Sequence, residues 1–248
     1  MIELLKLEQY CNELLGVARF DDYCPNGLQV DGGKPEIGHI ASAVTASQAV
    51  IEAAIEQQAD LLLVHHGYFW RGEPAPLTGI KGRRIRSLLH GGLSMMAYHL
   101  PLDAHPTLGN NYLLGERLGF VNAAPLDQGL VWQGELPEVT PEVLVDRIAQ
   151  HLDRTPLLIR GHSRLVQSVG WCTGAAQNAI SEAAAAGLDL FISGEISEST
   201  THLARELGIH YIAAGHHATE RYGVQALGEH LAKKFVLTHQ FIDEFNPV

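Results

Sequence analysis

Two adjacent histidine pairs stand at the ends of apolar runs, His65-His66 in LLLVHHG and His216-His217 in GHHATE, with the carboxylates Asp103 and Glu220 downstream. Imidazole nitrogen mixed with carboxylate oxygen is a donor set for divalent transition metals. A single histidine is more often an ordinary polar residue, but two such pairs in one chain are harder to set aside. In an extended chain neighbouring side chains point to opposite sides, so His65 and His66 are not expected to chelate one ion together. Two ions roughly 3.5–4 Å apart would let each histidine serve its own. His216 and Glu220 have i,i+4 spacing and share one face if a helix starts near Gly215. Glu220 then places one oxygen on each ion, and Asp103 completes the shell on one side. This mixture suits Zn, Mn, Fe, Co or Ni better than Mg or Ca, which prefer oxygen alone.

Other residues compete for a place. His99, His105 and His217 are candidates to orient a ligand from behind, and His99 is equally readable as a satisfied histidine at a strand end. Glu195 is the candidate general acid/base, or else a helix cap. Tyr68, Phe69 and Trp70 could stack on a flat ring or serve as a hydrophobic cover over strand ends. Asn110 and Asn111 suit a helix N-cap, although an exposed helix start also receives anions. The glycines form neither GxGxxG nor a P-loop, and no serine has nucleophile-elbow spacing.

The elements that must position these residues are organised by a repeat. Residues 46–67 align with 175–196 without a gap, so that Gln48 meets Gln177 and Asp60 meets Asp189, both 129 apart. Each copy reads as an alanine-rich helix, a turn and a short buried strand. With small gaps, 87–103 aligns with 202–220, which places His99 and Asp103 opposite His216 and Glu220. His66 falls opposite Glu195. Helix and strand alternation predicts an α/β protein of two related lobes, with central, largely parallel sheets flanked by helices and the metal site between them. Ligands collect beyond the carboxyl ends of such strands. The expected lobes are 1–124 and 125–248, divided in 122–129 or nearby in 135–142, with Thr140 and Pro141 starting a helix through about His151.

Composition narrows the class. The chain has 248 residues, 46% apolar and 18% charged, and a formal net charge of −11, which disfavours DNA binding through a broad basic face. Lys81, Arg83, Arg84 and Arg86 form one local basic strip, a solvated helix face or a lure for a phosphorylated substrate. Three cysteines without CxxC spacing argue against a disulfide scaffold and fit a reducing cytosol. The first 16 residues read as an amphipathic helix rather than a signal peptide, and no apolar run approaches the roughly 20 residues a membrane span needs. The expected location is cytoplasmic, without a membrane.

The segments VTASQAVIEAA, VHHGYFW, HLPLDAHPTLGNN and AAGHHATE, with PNGLQV before them, resemble the NGG-interacting-factor-three-like family of dinuclear-metal proteins. Many of its members are named homologues of type II GTP cyclohydrolase I. The resemblance covers nearly the whole chain. It implies two α/β lobes sharing a two-metal site, in subunits assembled as a toroidal homohexamer. It also implies two divalent transition-metal ions per subunit, held by His65, His66, Asp103, His216 and Glu220: His65 and Asp103 on one ion, His66 and His216 on the other, and Glu220 bridging. Gly67 stands where many members have proline, and the chain lacks room for the ferredoxin-like module inserted in longer members. The implied activity is hydrolysis of a nucleotide or purine ring, with water attacking the ring carbon between two nitrogens and a link to damaged-nucleotide handling. Two alternatives are a two-metal phosphoesterase and a non-catalytic, metal-dependent assembly or interaction protein.

Overall fold

A computed structural model describes residues 1–127 and 129–248 of the chain. It divides into two compact units, one of Met1–Leu102 with Gly223–Phe245, the other of Asp103–Tyr222 with Asn246–Val248.

The first unit opens with β1 (Ile2–Glu3) and α1 (Leu4–Leu15), whose Leu4, Leu7, Cys11 and Leu15 are buried at helical spacing. Gly16 stops that helix in the left-handed conformation, with φ 61°. Next come β2 (Gly27–Val30), β3 (Glu36–Ile37), β4 (His39–Thr45), α2 (Gln48–Glu56), β5 (Leu61–His66), α3 (Gly79–His90), β6 (Ser94–Ala97) and the short α4 (Leu100–Asp103). β3 pairs with β1. Strand β13 (Thr238–Phe241), reached through α10 (Arg221–Phe235), completes a five-stranded sheet of order β13-β4-β5-β6-β2. Its first four strands run parallel and β2 antiparallel. Leu61, Leu62, Leu63 and Val64 are all fully buried, as expected of a parallel strand covered on both faces. The Ser47 hydroxyl caps α2 by accepting from the Val50 N–H at 3.1 Å. Of the basic strip on α3, Lys81 turns back to the Pro74 carbonyl and Glu73.

The second unit contains α5 (Asn110–Leu118), β7 (Val121–Pro125), β8 (Trp132–Val139), α6 (Pro141–Leu152), β9 (Leu157–Ile159), β10 (Val166–Cys172), α7 (Ile180–Ala185), β11 (Leu190–Ser193), α8 (Glu198–Leu207), β12 (His210–Ala213) and α9 (His216–Thr219). Among the described residues its sheet has six strands, in the order β7-β8-β10-β11-β12-β9. β10, β11 and β12 are parallel, and antiparallel strands flank them on both sides. Trp132, Trp171, Phe120, Leu144 and Ile148 lie in the main core cluster of this unit. α6 begins as expected, with Thr140 at the N-cap position and Pro141 in the first turn, although the Thr140 hydroxyl makes no capping bond. The stretch 122–129 falls on β7 and the turn after it, where β7 pairs back onto β8; Gln128 within it lies outside the described residues. The bounds 1–124 and 125–248 therefore differ from those of the compact units, because 223–245 returns to the first sheet.

The repeat is a repeat of architecture. β4-α2-β5-α3-β6 has the order of β10-α7-β11-α8-β12, and the strand registers agree: Ile40 pairs with Leu61 as Val169 pairs with Leu190, again 129 apart. In the third strand the offset is 116, since Leu61 pairs with Ser94 and Leu190 with His210. His99 and His216 are 117 apart. One extra residue thus separates strand from histidine in the second unit.

Candidate metal centre

In the first unit β5 carries the histidine pair on its last two residues. Alternation along a strand predicts diverging rings, yet the His65 and His66 ring centroids are 4.6 Å apart. The pleat ends at His66 and the chain leaves the strand at Gly67, which lets the second ring swing toward the first. A Cβ on Gly67 would collide with Gln29 Oε1 and Ala97 Cβ. Gln29 is occupied there, accepting the Tyr68 N–H at 2.7 Å.

A third imidazole joins them. His99, just beyond β6, has its ring centroid 5.1 Å from that of His65 and 5.8 Å from that of His66. One ligating nitrogen from each of the three rings lies within 4.8 Å of the others. Every ring is held through Nδ1: His65 on the Tyr98 carbonyl at 2.8 Å, His66 on the Thr45 hydroxyl at 3.3 Å, and His99 on Asp22 Oδ1 at 2.7 Å. Burial alone would raise the Asp22 pKa. The bonds from His99, Asn26 and the Tyr23 N–H, with the charge of His99, outweigh it and bring it down to about 2. Cys24 forms a second possible grouping with Asp22 and His99. Its burial, reinforced by the Asp22 charge, pushes the thiol up to about 12.

Of the three aromatic residues after the pair, Tyr68 is buried, with its hydroxyl donating to the Ala46 carbonyl. Phe69 packs against the same core. Both are cover. Trp70 meets His99 edge-on, centroids 5.0 Å apart at 84°.

In the second unit Asp103 is buried, and its Oδ1 accepts from Asn110 Nδ2 at 2.8 Å and the Thr173 hydroxyl at 3.2 Å. Asn111 donates to the Asp103 carbonyl and accepts the Thr173 N–H. The N-cap of α5 is Gly109, so the helix starts where expected but neither asparagine caps it. Both are fully buried. Their polar ends are spent on orienting Asp103 and the start of the Thr173 loop, a role invisible from helix-start spacing.

α9 begins at His216 after Gly215, whose φ is 102°. One turn later Glu220 presents Oε2 at 3.1 Å from His216 Nε2, as i,i+4 spacing predicts. The other ring nitrogen, Nδ1, meets Glu195 Oε1 at 2.7 Å. Burial disfavours the charged ring, but Glu220 and Glu195 together outweigh it and raise the His216 pKa to about 9. Gly174, at φ 67°, sits so close that a Cβ there would fall on Glu220 Oε1, and a Cβ on Gly194 would strike the Gly174 carbonyl and the His216 backbone. The glycines after β10 and β11 thus admit the His216–Glu220 turn. His105 closes its own turn, its Nδ1 accepting the Leu108 N–H at 3.0 Å.

Each unit therefore presents nitrogen and oxygen donors at the carboxyl ends of its parallel strands, with histidines fixed in one orientation by a second acceptor. That is the donor chemistry of Zn, Mn, Fe, Co or Ni sites. Among the described residues no helix is long and apolar enough to cross a membrane.

A family profile described as Duf34/NIF3 (NGG1p interacting factor 3) matches residues 2–247. A protein of Allochromatium vinosum named GTP cyclohydrolase 1 type 2 homolog is 53% identical over 250 residues, covering 100% of this chain and 98% of its own. A Vibrio cholerae protein of the same name is 55% identical over 250 residues, covering 98% and 99%. Among solved structures, protein ybgI, described as of unknown function, superposes with a TM-score of 0.96 at 46% identity over 100% of both chains.

Proposed function

The chain belongs to the Duf34/NIF3 family, and on that premise we propose that it is a dinuclear-metal-dependent hydrolase acting on a nucleotide or related purine ring. In this reading His65, His66, Asp103, His216 and Glu220 hold two divalent transition-metal ions. The observation that carries it is His216, whose two ring nitrogens are both engaged by carboxylates, Glu195 at 2.7 Å and Glu220 at 3.1 Å. An imidazole anchored through Nδ1 and paired through Nε2 has the arrangement of a metal ligand with its orienting carboxylate. The names of the curated relatives support the cyclohydrolase direction.

Two ions so held would lower the pKa of a coordinated water and polarise the carbon under attack. The protein's own residues do the rest. Asn110 and Thr173 fix the Asp103 carboxylate, and Tyr98 and Thr45 fix the two rings of β5. Glu195 is the group proposed to move protons. A half-exposed carboxylate on Nδ1 of a ligand histidine can do so without leaving its place. Self-association as a homohexamer belongs to the same proposal.

The test is elemental analysis of gently purified protein followed by GTP turnover, comparing wild type with His66→Ala and Glu220→Ala. About two ions per chain, formate release by wild type and loss in both variants are expected. Equal rates in all three remove metal-site hydrolysis. Inorganic phosphate without formate moves the assignment to a phosphoesterase, and a chelation-sensitive hexamer without turnover of any nucleotide moves it to a metal-dependent assembly protein.

A further inference from the structure

Arg154 lies between α6 and β9, at the edge of the second unit's sheet. Asp153, left-handed at φ 52°, ends α6 and turns the chain toward β9. β9 runs antiparallel to β12 with Leu157 opposite Ala213. The same register continued by three residues brings Arg154 level with His216. The side chain is seated there as well: a Cβ on Gly215 would fall on Arg154 Nη1, Cδ and Cζ. The guanidinium therefore lies against the Gly215 backbone, one residue before a candidate metal ligand. Only a residue without a Cβ leaves it that space.

A guanidinium stays charged throughout the pH range of a folded protein and offers five N–H donors in a fixed fork. Other arginines of the chain spend theirs internally: Arg160 on Glu142, Arg71 on Asp21, Arg147 on the Leu118 carbonyl. Arg154 Nη1 is buried and has no hydrogen-bond partner among the described residues. Carboxylates are not scarce, with 28 acidic residues against 17 basic. Glu195 and Glu220, which stand at this end of the sheet, are both turned to His216. Burying a charged donor without an acceptor is costly. What sets Arg154 apart from other unsatisfied donors is its place at the carboxyl ends of the parallel strands, where ligands collect. The missing acceptor is one that a ligand brings.

We propose that Arg154 binds a phosphate of the substrate, which makes the substrate a nucleotide rather than a nucleoside or free base. The proposal rests on the reading of the chain as a nucleotide hydrolase and adds the residue that holds the phosphate end. The planar fork of a guanidinium matches two phosphate oxygens at once, which a lysine cannot do. At a net charge of −11 the protein repels a phosphorylated ligand at long range, so a fixed cation at the site is what retains it. A nucleotide carries its anion at one end and its base at the other. The cation accordingly belongs beside the metal ligands and not among them, and Gly215 sets it there.

The experiment measures binding of GTP, GMP, guanosine and inorganic phosphate to the full chain as purified, by equilibrium dialysis, for wild type, Arg154→Gln and Arg154→Lys. Arg154→Gln is expected to weaken GTP and GMP about 10–100-fold and to leave guanosine unchanged, with Arg154→Lys between the two because charge remains and the fork is lost. Metal content by elemental analysis should be the same in all three, which separates a phosphate held by the arginine from one held by ions. Since Nη1 has no partner to lose, the Tm of unliganded Arg154→Gln should stay within about 2 °C of wild type. Binding of inorganic phosphate alone, with GTP and GMP no tighter than guanosine, would mark an anion site outside the substrate's reach and overturn the proposal. It is equally overturned if Arg154→Gln binds GTP as wild type does, if guanosine weakens by the same factor as GTP, or if wild type binds none of the four probes. GTP held through Arg154 without formate release would keep this inference and remove the cyclohydrolase reading. Formate release from GTP with kcat/KM unchanged in Arg154→Gln would remove this inference alone.

Discussion

Removing either of two repeat-related carboxylates, by Asp60→Ala or Asp189→Ala, is expected to destabilise the protein by a similar amount and in the same pH window. Asp60 Oδ2 accepts the N–H groups of Gly38 at 2.9 Å and His39 at 3.0 Å, while Oδ1 meets Lys34 at 2.7 Å. Asp189 Oδ2 accepts the N–H groups of Gln167 at 3.1 Å and Ser168 at 3.0 Å, and the Ser168 hydroxyl at 2.9 Å. The donors are again 129 residues apart. Each carboxylate ties the start of its own strand to the start of the neighbouring one. A hydrogen bond to a charged acceptor contributes about 1.5–3 kcal/mol, and since water reaches these partly exposed ends the lower part of that range applies. Two lost backbone bonds then cost about 3 kcal/mol, or roughly 6–12 °C in Tm for a chain of this size. Burial alone would raise both carboxyl pKa values, but the hydrogen bonds, with Lys34 beside Asp60 and Arg164 near Asp189, outweigh it and hold them below the ordinary value. The stabilisation is therefore fully present above the unfolded pKa of about 3.9 and is lost as pH falls through the lower folded value. Urea melts at pH 7, 5, 4 and 3 should show a constant gap between wild type and each variant down to about pH 4, closing below it. A gap under about 0.5 kcal/mol at pH 7, or one independent of pH throughout, would refute the reasoning. A large effect at one aspartate and none at the other would show that the shared register does not carry a shared energy.

Three further outcomes follow from the site. Glu195→Gln weakens the anchor on His216 Nδ1 and should lower Zn²⁺ affinity about 10–100-fold, read by calorimetry with the far-ultraviolet spectrum unchanged; unaltered affinity would remove Glu195 as the orienting group. Gly174→Ala both strains a left-handed backbone and drives a methyl into Glu220, costing about 1–3 kcal/mol and weakening metal binding. Gly187→Ala, at φ 77° with nothing within 4 Å, should cost only the conformational strain of about 1–2 kcal/mol and leave metal binding alone, so equal affinity loss in both variants contradicts the close-approach argument. Adding Zn²⁺ to chelator-treated protein at about 1,000 times its Kd should raise stability by about 4 kcal/mol, seen as a higher Tm; an unmoved Tm would mean that the folded chain holds no ion at that concentration.

The duplicated core was legible because the sequence repeats both in residue type and in the change of period from helix to strand, and the register pairs of β4, β5, β10 and β11 follow the alignment residue for residue. The antiparallel edges were not. β8 contains Pro137 and sits against a register shift on β10 between Val166 and Ser168; a proline in such a run reads as a break because it cannot donate to a ladder, and only the bulge reveals how it is accommodated. The i,i+4 contact of His216 and Glu220 was visible because both residues lie on one helical turn. The Asp22–His99 pair spans 77 residues, and no local period reports a contact of that range. The approach of His65 to His66 ran against strand alternation, since that rule assumes the strand continues beyond the pair.

The repeat also separates what was copied from what was rebuilt. Asp60 and Asp189 occupy matching positions and bond to matching amides, so their shared role needs no explanation beyond duplication. The two carboxylate–histidine pairs are different. Asp22 comes from the loop before β2, whereas Glu195 follows β11 directly and has His66, not Asp22, as its counterpart in the repeat. Even the histidines are displaced by one residue relative to the strands that precede them. Two rings held through Nδ1 at the same 2.7 Å by carboxylates of unrelated position cannot owe that geometry to copying. It is better explained by a requirement on the ring itself, that one nitrogen be held so that the ring keeps one direction.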